Sequence, residues 1–171
     1  ATFTIKRFRL KKPQFFVCSR NICLNENSAV AKKYFEIAER YNIREVLTEM
    51  LRKDSSLDFV TLQGEIYGKS IQKRDYSLDG IDFAAFNLIS SKDGRLSPFE
   101  MHKVLSEYEI PSVPILGRFN FSKASTDNVL DMAKGESKID GGDREGIVFR
   151  SPDGQKSFKA VSNDFLLKYH S

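Results

Sequence analysis

The sequence predicts an α+β fold, with largely antiparallel sheets and helices inserted between the strands. Three patterns carry this reading. Short runs alternate apolar and polar residues with a period of two, as half-buried strands do. Between them, apolar residues recur at helical spacing. The strand-like runs are grouped as hairpins and do not alternate regularly with helices, so a parallel βαβ sheet does not fit.

Taken in order, Ala1, Phe3 and Ile5 alternate with Thr2, Thr4 and Lys6, and the phase shifts at Phe8 and Leu10. This is a strand with a bulge near Lys6 and Arg7. Pro13 punctuates, and Gln14 to Ser19 reads as the returning strand of a hairpin. Tyr34, Ile37, Ala38 and Tyr41, and after Asn42 the set Ile43, Val46, Leu47, Met50 and Leu51, mark one broken helix or two consecutive ones. Strands follow at Phe59 to Tyr67 and Phe83 to Ile89, joined by a charged connection through Lys69, Gln72, Lys73 and Arg74. Ser97-Pro98-Phe99-Glu100 has the order of a capping box, which starts a helix running to about Tyr108. Val113 to Leu116 reads as a short strand, and Ser125 to Lys134 as a helix closed by Gly135. Ile147 to Arg150 and Ser157 to Val161 read as an antiparallel pair across the Ser151-Pro152-Asp153-Gly154 turn.

The 171 residues fit one domain, without repeats or a linker, and 40% hydrophobic content with 14 Phe supplies a core. A disordered or disulfide-stapled chain is excluded. The longest apolar stretch, Ile81 to Ile89, is broken by Asp82 and Asn87 and is far too short for a membrane span. No secretory or transit segment is recognisable. The chain opens on Ala1 without a methionine, which leads us to expect a processed chain or an excised piece. Cys18 and Cys23 have no nearby histidine to complete a zinc site, so they are expected to be reduced, partly buried thiols of an intracellular, cytoplasmic protein. With 2 His in the chain, imidazole-based nucleophilic catalysis is disfavoured. The net charge of +4 mildly favours a polyanionic partner.

Three segments suggest chemistry. Glu65 lies in a strand between Gly64 and Gly68; glycine weakens a strand unless a bulge or a ligand needs the room, so Glu65 is expected to point into a cleft where something approaches the backbone. Glu145 precedes Gly146 at a strand start and is flanked by Arg144 and Arg150, which would keep a carboxylate ionised for metal or phosphate work. Lys159 alternates with Phe158, so the two face opposite sides of their strand. A solvated glutamate, a surface ion pair and a solvated lysine are the respective alternatives. Together the three match the needs of a nucleoside triphosphate with a divalent metal: cations on phosphate, carboxylates on ribose and metal. No G-x-x-x-x-G-K-[ST] phosphate loop is present.

These residues resemble the covalent nucleotidyltransferase superfamily, specifically ATP-dependent RNA ligases of the Deinococcus type. Cys18-Ser19-Arg20-Asn21 resembles motif Ia, Leu62 to Gly68 motif III, Asp82 to Ile89 motif IIIa, Arg144 to Arg150 motif IV, and Ser157 to Asn163 with Phe165 to Lys168 motif V. The resemblance spans Cys18 to Lys168 and implies an adenylyltransferase domain of nucleotidyltransferase (ATP-grasp-like ligase) fold. It implies that Glu65 holds ribose, Phe86 stacks on adenine, and Glu145 supports the metal, Mg or Mn. Lys159 would contact the α-phosphate, Lys168 would be a second motif V cation, and Arg20 would lie near the phosphates or the RNA end. Implied partners are ATP and RNA ends or a nicked duplex, with no membrane.

One departure matters. The superfamily's nucleophile is a lysine in K-x-D-G, and no lysine of residues 1–171 stands in that pattern. Lys92-Asp93-Gly94 lacks the intervening residue, and Asp79-Gly80 and Asp153-Gly154 lack the lysine. In the superfamily the motif runs almost directly into a strand such as Ala1-Thr2-Phe3-Thr4-Ile5. The expectation is therefore a domain cut just after motif I and lacking any auxiliary domain, unable by itself to form a lysyl adenylate. A non-catalytic nucleotide- or RNA-binding module and a basic scaffold are the alternatives. Lys6, Arg7, Arg9, Lys11 and Lys12 are either an RNA groove or a solvated hairpin.

Overall fold

The computed structural model describes residues 1–69, 71, 76 and 78–169. Gln72, Lys73 and Arg74 of the charged connection, and His170, lie outside the described residues.

Two antiparallel sheets form the frame. β1 (Thr2–Phe8), β2 (Lys11–Cys18), β3 (Phe59–Gly68), β4 (Ile81–Ser90) and β5 (Gly94–Arg95) make a five-stranded sheet in the order β2-β1-β3-β4-β5. β6 (Gly146–Arg150) and β7 (Ser157–Val161) make a separate two-stranded sheet. The bulge expected near Lys6 is present: the β1–β2 register shifts between Lys6 and Phe8. Pro13 lies inside β2 and does not precede it. An edge strand accommodates a residue without an N–H, and β2 is an edge.

Two helices follow β2, α1 (Lys32–Arg40) and α2 (Ile43–Lys53), entered through a 3-10 turn at Ala29–Ala31. Asn42 separates them in the left-handed region, at φ 47° and ψ 36°. Asparagine tolerates that conformation better than other residues with a Cβ, so the helical pattern restarts there in a new direction. Their apolar faces bring Ile37, Ile43, Leu47 and Leu51 onto Phe3, Ile5, Leu62, Phe83 and Leu88 of the large sheet. Phe3 meets Phe83 edge-on at 5.7 Å between ring centroids. α3 (Pro98–Glu107) adds Met101 and Leu105 to the same core. Each large side chain so buried contributes about 1.5–3 kcal/mol.

The capping box is formed as the sequence requires: Glu100 N–H donates to Ser97 Oγ (3.3 Å), and Ser97 N–H to Glu100 Oε2 (3.1 Å). Val113 to Leu116 is not a strand. A single parallel bridge joins Ser112 to Ala85, after which the chain leaves the sheet. Ala85 N–H donates to Pro111 O and Val113 N–H to Ala85 O, so only one residue of β4 is reached. α4 (Thr126–Ala133) has its cap at Ser125, and α5 (Asn163–Tyr169) forms where only a motif was recognised. α4 covers the small sheet through Ala133, Val129 and Met132 against Ile147, Phe149 and Ala160. Among the described residues no helix is long and apolar enough to cross a membrane.

The outer ends of β3 and β4 are tied to α1 by a carboxylate. The Tyr41 hydroxyl donates to Asp82 Oδ1, the Tyr67 hydroxyl to Asp82 Oδ2 (3.5 Å), and Phe83 N–H to Asp82 Oδ1 (2.7 Å). Burial first, and then the Asp82 hydrogen bond and charge, push both Tyr41 and Tyr67 up to about 12 from the ordinary 10.0.

Two outcomes follow from these contacts. Replacing Asn42 by glycine should leave stability nearly unchanged, whereas Asn42→Val should lower it by about 1–2 kcal/mol in urea unfolding. Because the folded-state values of Tyr41 and Tyr67 are raised, the stability they confer is intact below pH 10.0 and declines as pH climbs toward about 12. Tyrosinate absorbance during alkaline titration should show a late-ionising pair in the native protein, and Asp82→Asn should shift that pair toward ordinary behaviour.

Candidate functional site

The face of the large sheet opposite the helices is polar. Side chains alternate along β3, so Leu62, Gly64 and Ile66 turn to the core while Thr61, Gln63 and Glu65 turn away. Thr4 and Thr61 share a hydrogen bond of 2.9 Å across the strands, and Asn87 Nδ2 donates to Gln63 Oε1 at 2.8 Å. Thr61 and Asn87 are buried in doing so. Glu65 is exposed at the end of this stripe.

Gly64 is glycine for a packing reason. A Cβ there would stand 2.3 Å from the Phe83 ring and 2.6 Å from Ala84 O. The glycine thus admits the core phenylalanine; the room it creates is on the side away from Glu65. Immediately beside it the ladder slips. Gln63 pairs with Asn87 and Gly64 with Ala85, which leaves Phe86 as the extra residue of a β-bulge. Phe86 is half-buried there.

Arg150 reaches this bulge from the small sheet. Its Nη1 donates to Phe86 O (2.7 Å) and to Asn87 Oδ1 (2.6 Å). Burial, then the nearby Arg95 charge, pulls the guanidinium's pKa below its ordinary value. On β6–β7 the alternation puts Ile147, Phe149, Phe158 and Ala160 on one face and Val148, Arg150 and Lys159 on the other. Lys159 therefore lies on the face through which Arg150 bonds to β4. As expected, Phe158 is on the opposite side, stacked on Phe149 at 5.0 Å and 21°.

Glu145 is paired by Lys159, whose Nζ donates to Glu145 Oε1. Its expected partners are elsewhere. Arg144 turns back to the C-terminus of α4, donating to the carbonyls of Met132 (2.7 Å), Ala133 (3.3 Å) and Lys134. A guanidinium there satisfies carbonyls that have no helical partner and faces the negative end of the helix dipole. Arg150 is engaged at Phe86. Lys168, which the resemblance implies as a second motif V cation, sits on α5 and bonds Asp143 Oδ2 at 2.6 Å. Two lysines thus reach the same short segment by separate carboxylates, Asp143 and Glu145. Gly146, the first residue of β6, is obligatory, since a Cβ would lie 2.1 Å from Ala160 O.

Arg20 is exposed in the turn that follows β2, where Ser19 N–H donates to Ile22 O (2.9 Å). β2 pairs Cys18 with Thr2, which in turn pairs with Gln63, so Arg20 follows the strand end nearest the polar stripe. Of the basic hairpin residues, Arg7 is structural: it donates to Leu51 O (2.7 Å) and Leu57 O (3.1 Å) near the end of α2. Lys6, Arg9, Lys11 and Lys12 are exposed. Among the described residues no group of three His, Cys, Asp or Glu side chains could hold a metal by itself.

The RNA ligase family model matches residues 1–170 of this sequence. The chain belongs to the RNA ligase family. Its fold is similar to that of Naegleria gruberi RNA ligase in a structure with pyrophosphate, at 32% identity and a TM-score of 0.81. That match covers 99% of this chain and 48% of the other. A variant of the Naegleria enzyme with ATP and Mn gives a TM-score of 0.81 at 31% identity, over 99% of this chain and 49% of that one. Another variant, with AMP and Mn, gives 0.82 at 32% identity, over 99% and 48%. The chain spans about half the length of these solved relatives. No curated protein matches the sequence.

Within this RNA ligase family member, the Arg150 link to β4 is a feature that sequence reading missed. Its signal was Asn87, a polar residue inside the apolar Ile81 to Ile89 run, which asks for a buried partner. Arg150→Met should destabilise the protein by about 1–3 kcal/mol in chemical denaturation, because two acceptors lose a charged donor. Arg150→Lys should recover only part of that loss, since an ammonium does not reproduce the guanidinium's planar geometry.

Proposed function

We propose that this chain is the adenylyltransferase domain of an ATP-dependent RNA ligase of the Deinococcus type, which seals RNA ends through a lysyl-AMP intermediate. The observation that carries the proposal is the Lys159–Glu145 pair on the sheet face that Arg150 bonds to the Phe86 bulge. Arg150 thereby links the sheet face carrying this cation and carboxylate to the strand pair that carries Phe86 and the exposed Glu65.

In this reading adenine stacks on Phe86 and the ribose hydroxyls donate to Glu65. Lys159 leaves its exposed ion pair to contact the α-phosphate. That exchange costs little, because both members are about half exposed, at 46% and 42%, and such pairs are weak. Lys168 and Arg20 add positive charge toward the phosphates or the RNA end. Glu145 would hold a divalent metal, Mg or Mn, that arrives on the triphosphate. A lone exposed carboxylate suits such an ion, which needs only one or two protein carboxylates beside phosphate oxygens. When bound, the ion supplies charge neutralisation and orients the leaving pyrophosphate.

The nucleophilic lysine of K-x-D-G is proposed to lie N-terminal to Ala1. The position is supported by the residue that precedes β1: Ala1 N donates to Gly64 O (2.8 Å) and Gly64 N–H to Ala1 O (3.0 Å), next to Glu65. A backbone segment preceding Ala1 would emerge beside the residue assigned to ribose. The amine must be unprotonated and aligned with the α-phosphorus to attack, and no lysine of residues 1–171 stands in K-x-D-G.

ATP labelled at the α-phosphate separates the readings. This chain should bind ATP without becoming covalently labelled. A version extended through an upstream K-x-D-G should be labelled, and changing its lysine should abolish the label. Strong labelling of residues 1–171 alone would overturn the position of the nucleophile. Glu65→Ala and Lys159→Ala should each weaken ATP binding about tenfold in calorimetric titration, near 1.4 kcal/mol; unchanged affinity in both would remove the nucleotide site.

A further inference from the structure

Cys18 and Cys23 are opposed across an antiparallel bridge just beyond the end of β2. The hydrogen bonds define what kind of bridge it is. Ser19 N–H donates to Ile22 O (2.9 Å) and Leu24 N–H to Val17 O (2.8 Å). These bonds join the residues on either side of the two cysteines, so the cysteines themselves form the non-hydrogen-bonded pair. Such pairs bring their Cα atoms to about 4.5 Å and their side chains closest together. That lies within the span of about 4.4–6.8 Å that a disulfide requires. Both thiols are free; Cys18 is half-buried and Cys23, expected to be partly buried, is exposed.

We propose that Cys18 and Cys23 form a redox-active dithiol that closes to an intramolecular disulfide, fastening the turn that carries Arg20. The oxidant is a low-molecular-weight disulfide such as oxidised glutathione. The exposed Cys23 thiolate attacks one sulfur of that disulfide, forming a mixed disulfide and releasing one thiol. Cys18, as thiolate, then attacks Cys23 Sγ, forming the Cys18–Cys23 bond and expelling the second thiol. The protein loses two electrons and two protons, and the small disulfide gains them as two thiols. Burial, then a hydrogen bond with the Cys23 thiol, raises the Cys18 thiol above its ordinary value. This supports Cys23 as the first nucleophile and Cys18 as the resolving one.

The consequence is local. Four residues, Ser19-Arg20-Asn21-Ile22, lie between the cysteines. In the reduced protein they are held by the Ser19 N–H to Ile22 O bond and by Ile22 N–H to Ser19 Oγ at 3.4 Å. Closing the disulfide at the base of this turn removes its freedom to open, while leaving the β1–β2 ladder unchanged.

The test is equilibration of the reduced chain in buffers of increasing oxidised-to-reduced glutathione ratio, followed by acid quench, maleimide capping and mass spectrometry. The expected product is a monomer two hydrogens lighter that takes no maleimide, with one peptide linking Cys18 to Cys23. Cys18→Ser should instead accumulate a glutathione adduct on Cys23. Hydrogen exchange of the Ser19 and Leu24 amides should slow by about tenfold in the oxidised form, as expected when local opening is suppressed. A stable glutathione adduct in the unaltered protein, disulfides only between chains, or equal exchange in both redox states would overturn the proposal. ATP binding measured in the same samples keeps this separate from the nucleotide reading. If the disulfide forms but neither state binds ATP, it is the nucleotide site that fails.

Discussion

The Arg150 guanidinium is the charged group that ties the small sheet to the middle of the large one. β6–β7 shares no ladder with the five-stranded sheet, and Arg150 bridges from it to the carbonyl of Phe86 and the amide oxygen of Asn87. Both acceptors exist where they do because β4 carries one residue more than β3 at this point. A bulge weakens a ladder locally and frees a carbonyl to accept from outside it. The charged donor then compensates, since hydrogen bonds to an ionised group are stronger than neutral ones. Arg95, which donates to Gly154 O at 3.2 Å, fastens the β6–β7 turn to the far edge of the same sheet. The faces carrying Lys159 and Phe86 are thereby held in a defined relation.

Charge pairing around residues 143–145 follows from the same economy of partners. Three consecutive charged residues point to three different elements: Asp143 to α5, Arg144 to α4 and Glu145 to β7. Arg144 is committed to helix carbonyls that would otherwise be unsatisfied. The two lysine–carboxylate pairs are exposed, and exposed pairs exchange partners at small cost. The arrangement separates a fixed arginine that builds the fold from lysines that remain available to an anion. The same division holds on the hairpin, where Arg7 bonds the carbonyls of Leu51 in α2 and Leu57 just beyond it, while Lys6, Lys11 and Lys12 are exposed.

Local chemistry was the most legible part of the fold. The Ser97 capping box, the bulge near Lys6, the break at Asn42 and the β6–β7 pairing each depend on residues close in sequence, and each is formed. The failures are of another kind. Val113 to Leu116 has strand-like composition but meets β4 through a single bridge, and a strand exists only when a partner edge continues beside it. Pro13 reads as punctuation, yet sits within β2 because that strand has an open edge. Gly64 reads as room for a bulge or a ligand; the bulge stands beside it, and the space itself is filled by Phe83.

The sequence by itself determined the α+β class and the place of most elements, because periodicity, capping and turn chemistry are properties of neighbouring residues. The tertiary structure decided which charges meet. Lys159 lies 14 positions from Glu145, across a hairpin the sequence predicts, whereas Arg150 lies 64 from Phe86, and no local rule supplies that partner. Side-chain pairing at such separations is set by strand register and by which sheet face is left uncovered. Only the packed chain fixes both.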